Sequence, residues 1–232
     1  MPTLQPYKEI VLLPIGSFEQ HGPHLPLNTD NYLIEAISTR VAHALRIAGF
    51  PNKLLPNIPL STCYEHHGKR GSMHFSANIL LKFMINLCGR LYTRGYGKIA
   101  VLMGHGGIFI MDTVIRHLNF TYPGAKAICL TPYEQSEDEN WLFSKDSLHA
   151  CETETSLMLY LYPELVRFER AVDYVPAYPR PILDFGSIFT VSPDGVWGYP
   201  TEATPEKGRI MLDRAVESLT GAIMAAFGQE VE

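Results

Sequence analysis

The chain of 232 residues is 46% hydrophobic and 19% charged, an ordinary globular balance with enough length for one large core. Nineteen Lys and Arg against 24 Asp and Glu leave a net charge of -5, so no global positive field attracts nucleic acid or anionic lipid. The longest apolar runs, residues 10–15 and 99–103, fall far short of the roughly 20 residues a membrane-spanning helix needs, which excludes a membrane-embedded chain.

Residues 1–9 lack the basic-then-apolar order of a signal peptide, and a cytoplasmic location is the expectation. Residues 9–15 form an apolar, partly β-branched run ending at Gly16, the pattern of a strand covered on both faces. After a loop rich in His, Pro and Gly, residues 30–48 place Leu33, Ile34, Ile37, Val41, Ala44 and Leu45 at helical spacing. Residues 53–59 predict a short strand, and residues 77–94 a helix with Ile79, Leu80, Phe83, Met84 and Leu87 on its apolar face. Residues 98–103 (KIAVLM) give the clearest strand, running through Gly104, His105, Gly106 and Gly107 into a helix over 108–118. A strand over 126–131 and a helix over 152–161, with a Thr or Ser cap and a stop at Pro163, continue the alternation. Residues 176–205 are dense in Pro, Gly and aromatics, which predicts an ordered loop whose rings suit interface anchors; a helix over 205–226 follows. Strands alternating with helices predict an α/β layered fold in a single domain over 1–232. The cysteines, Cys63, Cys88, Cys129 and Cys151, lack CxxC spacing, and most are expected as small buried thiols.

Three segments concentrate polar chemistry at the ends of strands. GSFEQHGPHLPLNTD over 16–30 carries Glu19, His21 and Asp30, ligand types that suit Zn, Mn or Fe; on extended backbone Glu19 and His21 face the same way. The plainer alternative is a Pro-shaped loop with Thr29 or Asp30 capping the next helix. His105 in GHGG stands at a second strand end, either at a site or in a tight turn. HACETETS over 149–156 sets His149, Glu152 and Glu154 at a helix start, where acidic residues also complement the helix dipole. Open α/β sheets place their sites at such carboxyl ends.

These segments, with GVWGYPTEATPEKG over 195–208, resemble in order the signatures of the creatininase (creatinine amidohydrolase) family across nearly the whole chain. The resemblance implies a three-layer α/β/α sandwich with a mostly parallel sheet, two divalent metal ions, and hydrolysis of a non-peptide C–N bond in a small cyclic amide or formamide. By it, Glu19 and His105 hold one metal, His21 the other, Asp30 bridges both, and His149 is the catalytic acid/base beside a metal-held water. It also implies a homo-oligomer, often a hexamer, and a small-molecule substrate. Where creatininase carries a metal-binding glutamate this chain has Gly107, and Glu152 is expected to complete the second metal, with Glu154 as alternate or supporting partner. Trp141 is expected on a flap over the substrate and His74 in substrate binding; the 65–70 cluster (Glu65, His66, His67, Lys69, Arg70) is either a surface turn or a substrate loop offered across a subunit interface. His24 reads as an orienting residue, and Cys151 as a neutral thiol rather than a nucleophile. The competing readings are a formamide deformylase or small-peptide amidase of the same fold, and a metal-free binding or assembly protein; Gly107, Met103 and Ile108 favour the last.

Overall fold

The computed structural model describes residues 7–68, 71–132 and 146–228. Four parallel strands, β1 (Tyr7–Ile15), β2 (Asn52–Leu54), β3 (Tyr96–Met103) and β4 (Lys126–Leu130), form one sheet in the order β2-β1-β3-β4. Around them lie α1 (Thr29–Ile47), α2 (Ala77–Thr93), α3 (Met111–Thr121), α4 (Glu152–Leu161) and α5 (Pro205–Gly228).

The central strands are apolar over residues 10–15 and 99–103 because both faces of the sheet are covered there. Side chains alternate along each strand: Val11, Leu13 and Ile15 with Ile99 and Val101 meet Leu80 and Met84 of α2 and Val114 and Leu118 of α3. On the other face Ile10, Leu12, Ala100 and Leu102 meet Leu33, Ile37 and Val41 of α1, Leu157 of α4 and Met211 and Leu219 of α5. Two cores on either side of one sheet make the three-layer α/β/α sandwich expected from the sequence. Each fully buried Leu or Ile contributes about 1.5–3 kcal/mol.

Several boundaries differ from the sequence reading. β2 covers three residues rather than the expected seven, because Pro56 and Pro59 have no N–H for the ladder; contact with β1 resumes where Ile58 N donates to the Pro14 carbonyl. In α2, Leu80, Met84 and Cys88 are buried while Ile79 and Phe83 are exposed, so the covered face is narrower than the apolar pattern. Asn28, not Thr29 or Asp30, precedes α1, and Asp30 lies inside its first turn. Cys151 caps α4 in place of the expected Thr or Ser, with the Glu154 carboxylate reaching back to it.

The connections locate the site. From β1 the chain crosses through α1 to β2 on one side, then returns past β1 through α2 to β3 on the other. The winding therefore reverses between β1 and β3, and a crevice opens at their carboxyl ends, where residues 16–28 and 104–110 leave the sheet. Residues 176–204 run through short 3-10 turns and fold back on this end. Ile188, Val191 and Trp197 form a small buried cluster there, and Trp197 N donates to the His149 carbonyl at 2.9 Å. Tyr178 and Phe185 of the same stretch remain exposed. Among the described residues no helix is long and apolar enough to cross a membrane.

Candidate metal centre

At the crevice the loop after β1 brings in Glu19 and His21, the first turn of α1 brings Asp30, the loop after β3 brings His105, and α4 with its approach brings His149 and Glu154. Their side chains are at least nine-tenths buried or nearly so. Three overlapping groups, Glu19–His21–His149, Glu19–Asp30–His105 and His21–Asp30–Glu154, each hold their ligating atoms within 4.8 Å of one another.

The hydrogen bonds around the cluster fix which atoms face inward. Ser17 Oγ donates to Glu19 Oε2 at 2.6 Å, which leaves Oε1 turned to the centre. His21 Nδ1 lies 3.1 Å from the Glu19 carbonyl oxygen, which only accepts, so Nδ1 carries the proton; Nε2 faces Asp30 Oδ1 at 3.1 Å and Glu154 Oε1 at 3.7 Å. By the same logic His149 Nε2 donates to the Gln20 carbonyl at 2.7 Å and leaves Nδ1 inward, 3.8 Å from Glu19 Oε1. His105 Nδ1 faces Glu19 Oε1 at 3.2 Å and Asp30 Oδ2 at 3.3 Å. Backbone carbonyls that hold one imidazole nitrogen so that the other is free to ligate are the usual outer support of a metal site.

Charge and orphaned atoms test whether a cation fits. Burial alone lowers the basicity of His21 and His105, yet Asp30 and Glu154 around the first, and Glu19, Asp30 and Glu65 around the second, outweigh it and raise both well above the usual histidine range. Burial opposes ionisation of Asp30 and Glu154, but His21 with His105, and His21 with His149, hold them ionised. The centre therefore demands positive charge, which protons or divalent cations can supply. Glu19 Oε1 and Asp30 Oδ2 are buried without a hydrogen-bond partner among the described residues, although His105 Nδ1 stands 3.2 and 3.3 Å from them. Buried carboxylate oxygens aimed at a common point beside imidazole lone pairs fit a cation better than they fit one another.

The expectations for individual residues separate cleanly. Glu19, His21, Asp30, His105 and His149 meet in one cluster. Glu152 does not: it is buried and ion-paired with Lys207 Nζ, and Glu154 faces His21 instead. Residues two apart on an α-helix point about 200° from each other, so only one of these glutamates can face the centre. His74 is exposed, with its ring at 5.2 Å from the Tyr64 ring, and stands outside the cluster. Trp141, Lys69 and Arg70 lie outside the described residues. The 64–66 turn, read from sequence as a surface or an intersubunit loop, enters this chain's own centre: His66 Nε2 is 3.2 Å from Glu19 Oε1, His66 and His149 rings lie 4.2 Å apart, and Glu65 Oε1 is 3.1 Å from His105 Nε2. Burial, with His149, His105 and His21 nearby, keeps His66 well below the usual range, and burial with His21 also lowers His149. The adjacent acid and imidazole in a strand-to-helix loop were the signal; their partner residues lie too far along the chain for spacing to show. His24 bonds Thr155 Oγ1 at 2.9 Å through Nε2, and burial lowers its pKa to about 4, consistent with a supporting role. Burial pushes the Cys63 and Cys151 thiols up to about 12, so neither is a ready nucleophile.

Comparison with known proteins gives one consistent result. Residues 1–223 match the family Creatininase, described as creatinine amidohydrolase. A mycofactocin precursor peptide peptidase of Mycobacterium ulcerans is 31% identical over 224 residues, covering 92% of this chain and 84% of that protein. A creatinine amidohydrolase of Pseudomonas putida is 28% identical over 245 residues, covering 94% and 90%. Among solved structures, a mutant creatininase of zinc–zinc type is similar at a TM-score of 0.78 and 25% identity, over 96% of this chain and 92% of that one.

Proposed function

The chain belongs to the creatininase family, whose matched relatives are hydrolases, and on that premise we propose that it is a metal-dependent amidohydrolase acting on a C–N bond of a small amide. The observation that carries this reading is the pair of orphaned buried oxygens, Glu19 Oε1 and Asp30 Oδ2, within a Glu/Asp/His cluster. Glu19, Asp30 and His105 would hold one divalent cation, and His21, Asp30 and Glu154 the other. Asp30 would serve both, since its two oxygens face the two groups separately, Oδ1 toward His21 and Oδ2 toward His105. Zn, Mn and Fe all suit this donor set, and the pair, when bound, supplies Lewis acidity that acidifies a held water and polarises an amide carbonyl.

His149 performs the proton transfers. Its Nε2–H is committed to the Gln20 carbonyl, so Nδ1 takes a proton from the attacking water and returns it to the leaving nitrogen. The lowered basicity of His149 keeps that nitrogen free to accept. His66 and His149, both more than nine-tenths buried, wall the centre.

The substrate is a cyclic amide or formamide in the first reading. Similarity to a peptide peptidase at 31% identity favours a second one, a short peptide amide, over the same centre. A metal-free assembly role fits less well, because Glu19 Oε1 and Asp30 Oδ2 point inward without a hydrogen-bond partner among the described residues, an arrangement with no use in a protein that binds no cation. The test is metal content per chain by plasma mass spectrometry, followed by amine release from panels of lactams, formamides and short peptides. Two metals per chain and turnover in one panel are expected. His149→Ala should keep both metals and lose about 10²–10⁴-fold in kcat. A wild-type chain that takes up no metal on reconstitution would falsify the reading.

A further inference from the structure

The turn Tyr64–His66 is fastened on three sides. Thr62 Oγ1 donates to the Gly107 carbonyl at 2.7 Å, Ser187 Oγ donates to the His67 carbonyl at 2.7 Å, and Ala77 N donates to Tyr64 Oη at 2.6 Å. From this fixed turn the Glu65 side chain, 15% exposed, reaches to 3.1 Å from His105 Nε2, the nitrogen on the far side of the ring from the cluster. His105 Nδ1 meanwhile faces Glu19 and Asp30. Gly107 makes this approach available: a Cβ there would lie 2.1 Å from Glu65 Oε1 and 2.4 Å from His105 Nε2, so any side chain would displace the carboxylate, the ring or both.

We propose that Glu65 is the positioning carboxylate of His105, its charge 3.1 Å from Nε2 favouring the proton on that otherwise unpartnered nitrogen and so presenting Nδ1 to the centre, and that glycine at 107 keeps the space this contact requires. The inference rests on the proposed metal-binding reading and extends it to two residues outside the ligand set. A carboxylate–imidazole–metal relay fixes the tautomer and raises the ligand's donor strength, and loss of such a partner typically weakens metal binding 10–100-fold. Glu65 touches no ligating nitrogen, so its effect passes through the orientation and charge of His105.

The experiment titrates Zn against a competing chromophoric chelator for wild type, Glu65→Gln and Glu65→Ala, with thermal unfolding of the metal-free proteins alongside. Gln preserves the shape and a neutral acceptor but removes the charge. Affinity for one of the metals should therefore fall in the order wild type, Gln, Ala, with a 10–100-fold loss for Ala and unchanged binding of the other. Gly107→Ala should weaken the same metal. A contact that only packs would leave Gln at wild-type affinity and move only the metal-free melting temperature. Wild-type metal affinity in both Glu65 variants overturns this inference alone; no metal uptake by the wild type overturns it together with the proposed function.

Discussion

Glu152 and Glu154 show how two like residues at one helix start take different tasks. Glu152 is buried against Lys207, whose side chain is only 27% exposed, while Glu154 Oε1 stands 3.7 Å from His21 Nε2. Glu154→Gln is accordingly expected to lose one metal per chain, measured by mass spectrometry, at little cost to folding. Glu152→Gln should keep both metals yet unfold at lower temperature, because the half-buried Lys207 ammonium loses its carboxylate and keeps only the Glu202 carbonyl, at a cost of about 1–3 kcal/mol. The ligand types were legible in the sequence, since Glu, His and Asp between a strand and a helix have few other uses in such density. Which glutamate turns inward was not, because that depends on the rotation of α4 about its axis, and α5 sets it through Lys207. Glu65 and His66 were visible as a polar pair, but their destination depends on contacts with His105 and Glu19 that no local pattern encodes.

That rotation is an element-scale property of the α4–α5 seat. Gly208 in the first turn of α5 lies so close to α4 that a Cβ would stand 2.0 Å from the Ser156 carbonyl oxygen and 3.0 Å from Leu157 N. Both obstacles are backbone, which yields less readily than a side-chain tip. Thr204 N donates to Ser156 Oγ at 3.2 Å just before, so the two helix starts are pinned together. Gly208→Ala should therefore separate α5 from α4, lowering stability by about 1–3 kcal/mol in chemical denaturation and moving Glu154 relative to His21. A metal titration on the same variant should show weakened binding of one metal, with the Glu19–Asp30–His105 group unaffected. Among the elements, β1 and β3 were legible because strands covered on both faces read as unbroken apolar runs. β2 was overread because prolines 56 and 59 keep the apolar composition of a strand while removing its donors. The α2 face was drawn too wide because Ile79 and Phe83 satisfy the helical period without being covered.

At the scale of the molecule, the reversal of winding between β1 and β3 gathers residues from five chain segments into one charged centre within an apolar sandwich. Such a centre opposes folding when its carboxylates lack a counter-charge, and favours folding when cations bind only the assembled geometry. The melting temperature should therefore depend on metal concentration. Binding to the native state alone contributes about 2.7 kcal/mol at a free metal concentration 100 times Kd and about 4 kcal/mol at 1,000 times. For a domain of this size each kcal/mol moves the midpoint by roughly 2–4 °C, so chelation should lower it by about 5–16 °C from saturation. Asp30→Asn separates the two contributions. Lacking that carboxylate, it should show little metal-dependent shift, and its metal-free midpoint should lie below that of metal-free wild type, because His21 and His105 hold Asp30 ionised in the folded state and lose that counter-charge. Calorimetry of both proteins with and without chelator reads both differences. A wild-type midpoint indifferent to metal would instead mean that protons on His21 and His105 suffice to balance the centre, and the fold would then support the non-catalytic reading of its family position.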